Sequence, residues 1–175
     1  MTVYGCDTST HKVLQLQNID SIGSSTKVHV DLTPDGIDEM DLRRWATTKR
    51  CGAMVTFCGT ARDHSVGRPG VTRLEYEAYI EPALARLDEL GHAACRKWPD
   101  VERVAIVHRV GEVPIGESAV VVVVSSPHRT ESFEAARFII DTLKSTVPIW
   151  KREAWDGGES WGLEANDITS APTDS

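Results

Sequence analysis

The pattern of apolar and polar positions divides the chain from residue 27 onward into strands and amphipathic helices. Six segments show the alternation or the short apolar run that is typical of strands: 27–32, 52–61, 71–79, 101–110, 118–125 and 149–155. The valine-rich segment 118–125 predicts a central strand that is buried on both faces. A turn at 156–158 and the following Trp161 predict a returning strand.

Three further segments carry apolar residues at helical spacing. The first spans 37–48, the second opens at Glu81 with Pro82 at its first helical position, and the third spans 130–147. The predicted apolar stripe of the third helix consists of Phe133, Ala136, Ile140, Leu143 and Val147. Because consecutive strands twice occur without a helix between them, the order predicts an α+β fold with a largely antiparallel sheet and about three helices.

Length and composition predict one folded domain with less regular ends. Residues 1–26 are rich in Ser, Thr, Asn and Gln and predict a flexible extension, 27–166 form the domain, and 167–175 predict a disordered tail. The 175 residues are 41% hydrophobic and 26% charged, which is enough for a core of ordinary globular composition. The start lacks the pattern of a secretory signal and the apolar runs are short, so we expect no membrane segment and a cytoplasmic protein.

The four cysteines, Cys6, Cys51, Cys58 and Cys95, form no metal-binding pattern. None is part of a C-x-x-C pair and no histidine stands at zinc-ligand spacing from them, so no metal site is predicted. Free thiols in a reducing compartment are the favoured interpretation. A nucleophilic role for Cys58 is the alternative.

Cations near the ends of predicted elements indicate a local anion-binding site. The chain carries a net charge of −7, which argues against a general surface for nucleic acid or another polyanion. His128 and Arg129 lie between the valine-rich strand and the third helix, where backbone N–H groups and a guanidinium group suit a phosphate or carboxylate. Capping of the helix by Ser126 or Thr130, with a solvated Arg129, is the alternative.

Two lysines follow near the far end of the third helix. Lys144 lies on its polar stripe, where an ion pair with Asp141 is the simpler interpretation. Lys151 follows Trp150, and beside this apolar group it can serve as an acid or a base. Because Lys151 and Arg152 alternate along an extended segment, only one of them is expected to point into a given pocket.

Two other polar segments carry weaker signals. The glycine-rich loop that opens at Arg62 also holds His64 and Arg68, which indicates an anion clamp or a lid, and a solvated hairpin loop is equally compatible. Inside a strand pattern, His108 and Arg109 are expected to be one half-buried and one exposed side chain. The sequence lacks the dinucleotide-binding fingerprint, the P-loop and the nucleophile elbow.

Five segments occur in a distinctive order and spacing: GAMVTFCGTARDH, LEYEAY, VAIVHRVGEVPIGE, VVVSSPHR and FIIDTLKSTVPIWKRE. Together with the later Trp161, they resemble the large, catalytic subunit of molybdopterin synthase over roughly residues 52–161. TLKSTVPIWK, at its distance from SSPHR, is the strongest part of the resemblance. LEYEAY, KWP and the long polar N-terminus look closer to the eukaryotic members of the family.

The resemblance implies an α/β-hammerhead fold and a homodimer in which each large subunit binds one small ubiquitin-like subunit, giving a heterotetramer. The C-terminal Gly-Gly tail of the small subunit carries a thiocarboxylate. Two sulfurs are transferred from such tails to cyclic pyranopterin monophosphate to make the dithiolene of molybdopterin, a step in molybdenum cofactor biosynthesis. No bound cofactor is implied, because the sulfur arrives on the partner.

The functional positions of that family fall on nine residues of this chain. They are Thr60, Ala61, Arg62, His128, Arg129, Lys144, Lys151, Arg152 and Glu153. The resemblance implies that Lys144 and Lys151 are the catalytic pair. We expect Lys144 to stabilise an oxyanion near the incoming tail and Lys151 to donate or accept a proton. We expect Arg62, His128 and Arg129 to hold the phosphate and the pterin.

The chain departs from the family pattern at two positions. Many bacterial members have Lys where Thr60 stands, and some have Arg near Asn166 for a contact across the dimer. Two other functions remain open from the sequence. One is a phosphoester-binding module without chemistry, which would bind its ligand without a partner. The other is a scaffold subunit that docks an acidic tail and has no affinity for a pterin phosphate.

Overall fold

The computed structural model describes residues 26–65, 68–155 and 157–161. Most of the predicted extension over 1–26, Asn166 and the predicted tail over 167–175 lie outside the described residues. The domain boundaries therefore remain predictions.

Three helices and ten strands make up the described part of the chain. The helices are α1 (Glu39–Ala46), α2 (Ile80–Lys97) and α3 (Arg129–Thr146). The strands are β1 (Val28–Thr33), β2 (Ala53–Thr60), β3 (His64–Ser65), β4 (Arg68–Pro69), β5 (Val71–Ala78), β6 (Arg103–Arg109), β7 (Gly111–Val113), β8 (Ser118–Ser126), β9 (Ile149–Trp155) and β10 (Gly158–Trp161). The predicted returning strand is thus present, and it begins at Gly158 rather than at Trp161.

The strands of the described residues form two four-stranded sheets and a small hairpin. The first sheet has the order β1-β6-β8-β2, and the second has the order β10-β9-β5-β7. Strand β1 runs parallel to β6, and every other recorded pairing is antiparallel. The α+β class with a largely antiparallel arrangement is therefore confirmed, although the sequence pattern did not divide the strands between two sheets.

The valines of β8 explain why helices cover both faces of the first sheet. Val120, Val122 and Val124 point to the core formed with α2 and α3, whereas Val121 and Val123 point to the core formed with α1. All five are at most 6% exposed. Burial of each valine side chain stabilises the fold by about 1.5–3 kcal/mol, so this strand holds both layers together.

The helix starts show where sequence rules held and where they failed. Asp38 caps α1, because its carboxylate accepts hydrogen bonds from the backbone N–H groups of Met40 at 2.9 Å and Asp41 at 3.0 Å. Helix α2 begins at Ile80, which places Pro82 at its third position and not at its first. The helix position predicted for Pro82 was therefore wrong. The N–H groups of the first turn have no intrahelical acceptor, so proline is tolerated at any of these positions.

The apolar stripe predicted for α3 was partly wrong. The buried residues are Ser132, Ala135, Ala136, Ile139, Ile140 and Leu143. Phe133 is 64% exposed. The buried position in the first turn is instead taken by Ser132, whose hydroxyl lies 2.5 Å from that of Ser126 and so satisfies its polar group.

None of the helices among the described residues is both long enough and apolar enough to cross a membrane.

Candidate active site

A cavity of about 700 Å³ lies where the C-terminal end of α3 meets the second sheet. Its wall includes apolar groups from both layers, among them Phe57, Ile140 and Trp150. Its polar residues include Arg62, Lys144 and Lys151. A concave site with an apolar lining and a few convergent polar groups is typical of small-molecule binding.

Lys144 and Lys151 reach this cavity from different elements that follow one another closely. Lys144 lies in the last turn of α3, where a cation is favoured by the helix dipole. Val147 then takes an extended conformation, with φ −85° and ψ 130°, ahead of Pro148. Strand β9 begins at Ile149 and carries Lys151 back along the cavity wall. Asp141, the alternative partner for Lys144, also lines the cavity.

Lys151 forms an ion pair with Glu153 on the same face of β9. The Nζ atom lies 2.8 Å from Oε1 of Glu153, and the glutamate side chain is only 4% exposed. The other carboxylate oxygen, Oε2, accepts a hydrogen bond from the Ser65 hydroxyl at 2.8 Å. Both oxygens of a buried carboxylate are therefore engaged by side chains from two segments.

Arg152 lies on the opposite face of β9, as its position between Lys151 and Glu153 requires. Its guanidinium group bonds to the carboxylate of Glu75 on β5 and lies 3.9 Å from that of Glu159 on β10. The described residues that line the cavity include Lys151 and Glu153 but not Arg152. The expectation that only one of the two neighbouring cations points into a pocket is confirmed.

The segment Thr60-Ala61-Arg62 enters the cavity after an irregularity in β2. The pairing of β2 with β8 shifts register between Gly59 and Thr60, which redirects the following side chains. Thr60 and Arg62 line the cavity. Ala61 is 3% exposed and packs in a small core instead, while its carbonyl accepts a hydrogen bond from Gly116 at 2.7 Å.

His128 and Arg129 lie at the other end of α3. Both are exposed, and the described cavity wall includes neither. Fifteen residues separate Arg129 from Lys144, which amounts to about 22 Å along a helix that rises 1.5 Å per residue. His128 is the N-cap residue, and no side-chain capping bond is recorded there within the described part of the chain. The alternative interpretation, in which Ser126 or Thr130 caps the helix, is therefore not supported, although Arg129 is exposed as that alternative expects.

His108 and Tyr76 line the cavity and were missed as site residues. Their rings meet edge to face at a centroid distance of 5.0 Å. The Nδ1 atom of His108 lies 2.7 Å from the carbonyl oxygen of Arg109, which can only accept, so Nδ1 carries the hydrogen. Burial lowers the pKa of His108 to about 4, so the ring is neutral at physiological pH.

The exposure predicted for the His108-Arg109 pair was wrong, because both residues are buried, at 5% and 6% exposed. The faces of β6 are covered by other elements: Val104 and Ile106 pack with α2 and α3, and Ala105 and Val107 pack with α1. His108 packs against Tyr76 of the second sheet. Arg109 donates from Nη1 to the Glu117 carboxylate at 2.5 Å and from Nη2 to the Glu112 carbonyl at 3.3 Å. Packing of elements distant in the sequence decided this burial, and the local sequence gave no signal of it.

Cys58 has the environment of an unreactive thiol. Burial, together with the adjacent Glu39 carboxylate, raises the pKa of Cys58 to about 11. Its side chain packs against the core on the α1 side of the first sheet, and the cavity lies on the other side. Among the described residues, no group of three or more His, Cys, Asp or Glu side chains is arranged to hold a metal ion.

The fold and the cavity define an α+β protein with a polar small-molecule site, whose wall carries two lysines and an arginine together with the carboxylates of Asp141 and Glu153. Comparison with known proteins shows which family of this class the chain resembles. Residues 32–146 match the family model described as MoaE protein. The chain is 41% identical over 131 residues to molybdopterin synthase catalytic subunit 1 of Aedes aegypti, an alignment that covers 75% of this chain and 84% of that relative.

Solved structures agree with the sequence match. The molybdopterin synthase of Staphylococcus aureus aligns with a TM-score of 0.71 and 37% identity, over 75% of this chain and 94% of that one. A chain from the complex of subunits 1 and 2 of the molybdopterin-converting factor of Helicobacter pylori has a TM-score of 0.64 at 22% identity, over 78% and 92% of the two chains, and shows the same fold. The chain belongs to the family of molybdopterin synthase catalytic subunits.

Proposed function

We propose that this chain is the catalytic subunit of a molybdopterin synthase and acts as a sulfurtransferase in molybdenum cofactor biosynthesis. It would transfer sulfur from the C-terminal thiocarboxylate of a small ubiquitin-like subunit to cyclic pyranopterin monophosphate. The observation that carries this proposal is the convergence of Arg62, Lys144 and Lys151 on one cavity from three separate segments.

The cavity matches the chemistry of such a substrate. Its volume of about 700 Å³ falls within the range of small-molecule sites, roughly 300–1,000 Å³. The cations of its wall supply charge for a cyclic phosphate. Neutral His108 keeps one ring nitrogen as an acceptor, and Thr60 supplies a hydroxyl. Groups of this kind suit the amide and amine edge of a pterin.

The two lysines supply what the transfer of sulfur needs. Each sulfur takes the place of an oxygen on a substrate carbon, and that oxygen leaves as water or with the opened phosphate ester. The bond between the sulfur and the acyl carbon of the tail must then break. Addition of water to that acyl carbon gives a tetrahedral oxyanion, and its collapse leaves the sulfur on the pterin and a carboxylate on the tail. An ammonium group near the acyl carbon stabilises the oxyanion, which is the role proposed for Lys144.

Lys151 is proposed as the group that donates or accepts protons on the substrate. Its location beside a buried carboxylate fixes the ammonium at the cavity wall. The sulfur comes from the partner, so the scheme needs no nucleophilic cysteine, and the raised pKa of Cys58 supports this. For the same reason we propose that no bound cofactor takes part.

The proposed partner is a small subunit whose Gly-Gly tail reaches the cavity. The Helicobacter pylori structure is named as a complex of two subunits, and it has the same fold as this chain. We further propose a homodimer within a heterotetramer. His128 and Arg129 are too far along α3 to serve the cavity of their own chain, so a second copy would have to present them.

A cytosolic location is proposed with this function. Cys51, Cys58 and Cys95, the three cysteines within the described residues, are free thiols, as expected in a reducing compartment.

Reconstitution tests the proposed function. The purified chain is mixed with a thiocarboxylated small subunit and cyclic pyranopterin monophosphate, and the dithiolene product is measured by mass spectrometry. The control is the same small subunit ending in an ordinary carboxylate, which should give no product. Substrate binding without product, even with the thiocarboxylated partner, would favour a binding module. Tight partner binding without affinity for the pterin would favour a scaffold.

A further inference from the structure

Glu153 connects two segments that are far apart in the sequence. Ser65 on β3 donates its hydroxyl hydrogen to Oε2, and Lys151 on β9 holds Oε1, each at 2.8 Å. Eighty-eight residues separate Ser65 from Glu153. Ser65 stands three residues after Arg62, so the same hydrogen bond ties the segment that carries Arg62 to the strand that carries Lys151.

The burial of Glu153 makes this hydrogen bond important. The residue is 3% exposed and is paired with Leu74 in the β5–β9 register, so water has little access to its charge. A buried carboxylate is tolerated when opposite charge and hydrogen-bond donors surround it. With one oxygen on an ammonium and the other on a hydroxyl, Glu153 is built to hold neighbouring side chains in place. Direct binding of substrate, which the resemblance implied for Glu153, fits this geometry less well.

We propose that Ser65 is a positioning residue for the sulfur-transfer reaction, acting through Glu153 on Lys151. This inference rests on the proposed function, because it assumes that Lys151 acts on the substrate. The terminal torsion of a glutamate is broad and does not fix its carboxylate plane by itself. The Ser65 hydroxyl restricts that torsion, and the restricted carboxylate holds the flexible Lys151 side chain in one orientation at the cavity wall.

The effect of this hydrogen bond should fall on the reaction rate. A displacement of about 1 Å in a group that acts on the substrate can reduce a rate by up to about a hundredfold. The described residues that line the cavity include Lys151 but not Ser65, so loss of the hydroxyl removes no group from the wall and acts only on the orientation of groups that remain there. Substrate affinity should therefore change much less than the rate at saturation.

Substitutions at Ser65 test the inference in the reconstituted complex with the thiocarboxylated small subunit. Ser65→Ala should lower the rate at saturating substrate by about tenfold and change the half-saturating concentration by less than about twofold. Ser65→Thr keeps the hydroxyl and should stay within about threefold of the parent rate. Ser65→Val has the shape of the threonine variant without the hydroxyl, and it should be as slow as Ser65→Ala.

The matched control is Thr72→Ala. Thr72 also donates a side-chain hydrogen bond to β9, to the carbonyl oxygen of Ala154 at 3.3 Å, but it has no recorded contact with Glu153 within the described part of the chain. Loss of the Thr72 hydroxyl should leave the rate unchanged.

A second check is the Ser65→Ala substitution in a Glu153→Gln background. There it should have little further effect on the rate, because Ser65 acts on Lys151 through the Glu153 carboxylate and that group is already altered.

The results separate this inference from the proposed function. If the parent complex is active and both Ser65→Ala and Ser65→Val react at the parent rate, the positioning role is contradicted. Equal rates for the Thr and Val variants would also overturn it, because the hydroxyl would then be irrelevant. If Ser65→Ala does not fold, the Thr and Val pair still decides. A parent complex that forms no dithiolene would contradict the proposed function itself.

Discussion

Lys151 and Glu153 stand two residues apart on β9, and their side chains meet on the same face with Nζ 2.8 Å from Oε1. The lysine is 24% exposed and the glutamate 4%. The lysine thus contributes to compensating the charge of the buried glutamate and also keeps access to the cavity. This pair links the stability of the second sheet to the proposed chemistry of the site.

Replacing the buried member of this pair should destabilise the protein. Glu153→Gln leaves a neutral group beside the Lys151 ammonium, and we expect the free energy of unfolding to fall by about 1–3 kcal/mol. Urea unfolding at neutral pH measures the change. Glu159→Gln is the matched control. Its carboxylate pairs with Arg73 and Arg152 but is 53% exposed, so the loss should be less than about 1 kcal/mol. Equal losses in the two variants would contradict this assignment.

The buried His108 should make stability fall in mild acid. Its pKa is about 4 in the folded protein and about 6.5 in the unfolded chain, so the unfolded chain binds more protons between these values. The contribution of neutral His108 to the free energy of unfolding is constant above about pH 6.5 and is lost progressively as the pH falls toward 4. Between pH 7 and pH 5 the loss from this group should be about 2 kcal/mol.

Urea unfolding of the parent and of His108→Asn at the two pH values isolates that contribution. Asparagine can still donate to the Arg109 carbonyl but does not titrate, so the variant should show a smaller loss than the parent. His92→Asn is the control. His92 is half exposed and lies 3.7 Å from Asp88, and its removal should leave the acid loss nearly unchanged. An identical loss in the parent and His108→Asn would contradict the neutral state of His108.

Cys58 should be dispensable for sulfur transfer. With a pKa of about 11, its thiolate is scarce at neutral pH, and its side chain packs on the α1 side of the first sheet. Cys58→Ala should therefore keep the rate of dithiolene formation within about twofold in the reconstituted complex. A loss of more than about tenfold in a folded variant would indicate that the protein itself carries the sulfur.

A mixture of two inactive variants tests whether His128 and Arg129 serve the cavity of a second copy. If they do, a mixed dimer of Lys144→Ala and Arg129→Ala contains one site with both lesions and one intact site. Such a dimer should recover about half of the parent activity. A dimer of Lys144→Ala with Lys151→Ala is the control, since each cavity keeps a lesion. No recovery in either mixture would contradict the arrangement across the dimer.

The sequence was sufficient where local pattern and burial coincide. Five consecutive valines predicted a strand covered on both faces, and β8 has that environment. It was insufficient where contacts between distant elements decide the outcome. His108 is buried because it packs against Tyr76 of the second sheet. The two-residue strands β3 and β4 are too short to show a period.

The candidate site was also predicted only in part, because some of its contacts join segments that are far apart in the sequence. Lys144, Lys151 and Arg62 were named from the resemblance and line one cavity, but their proposed roles still await test. The sequence put His128 and Arg129 at the start of the third helix and the lysines at its far end, but it did not show that the cavity forms at the lysine end alone. The contact between Ser65 and Glu153 was also unforeseen, since it spans 88 residues and depends on the pairing of β9 with β5.

The single-turnover rate of dithiolene formation in Lys144→Ala and Lys151→Ala is the most direct test of the proposed site. Each substitution removes a cation from the cavity, and each should lower the rate by about a hundredfold to a thousandfold while the protein stays folded. Lys49→Ala, which removes an exposed lysine after α1, should react at the parent rate. Near-parent rates in both cavity variants would contradict the assignment of the two lysines as the catalytic pair.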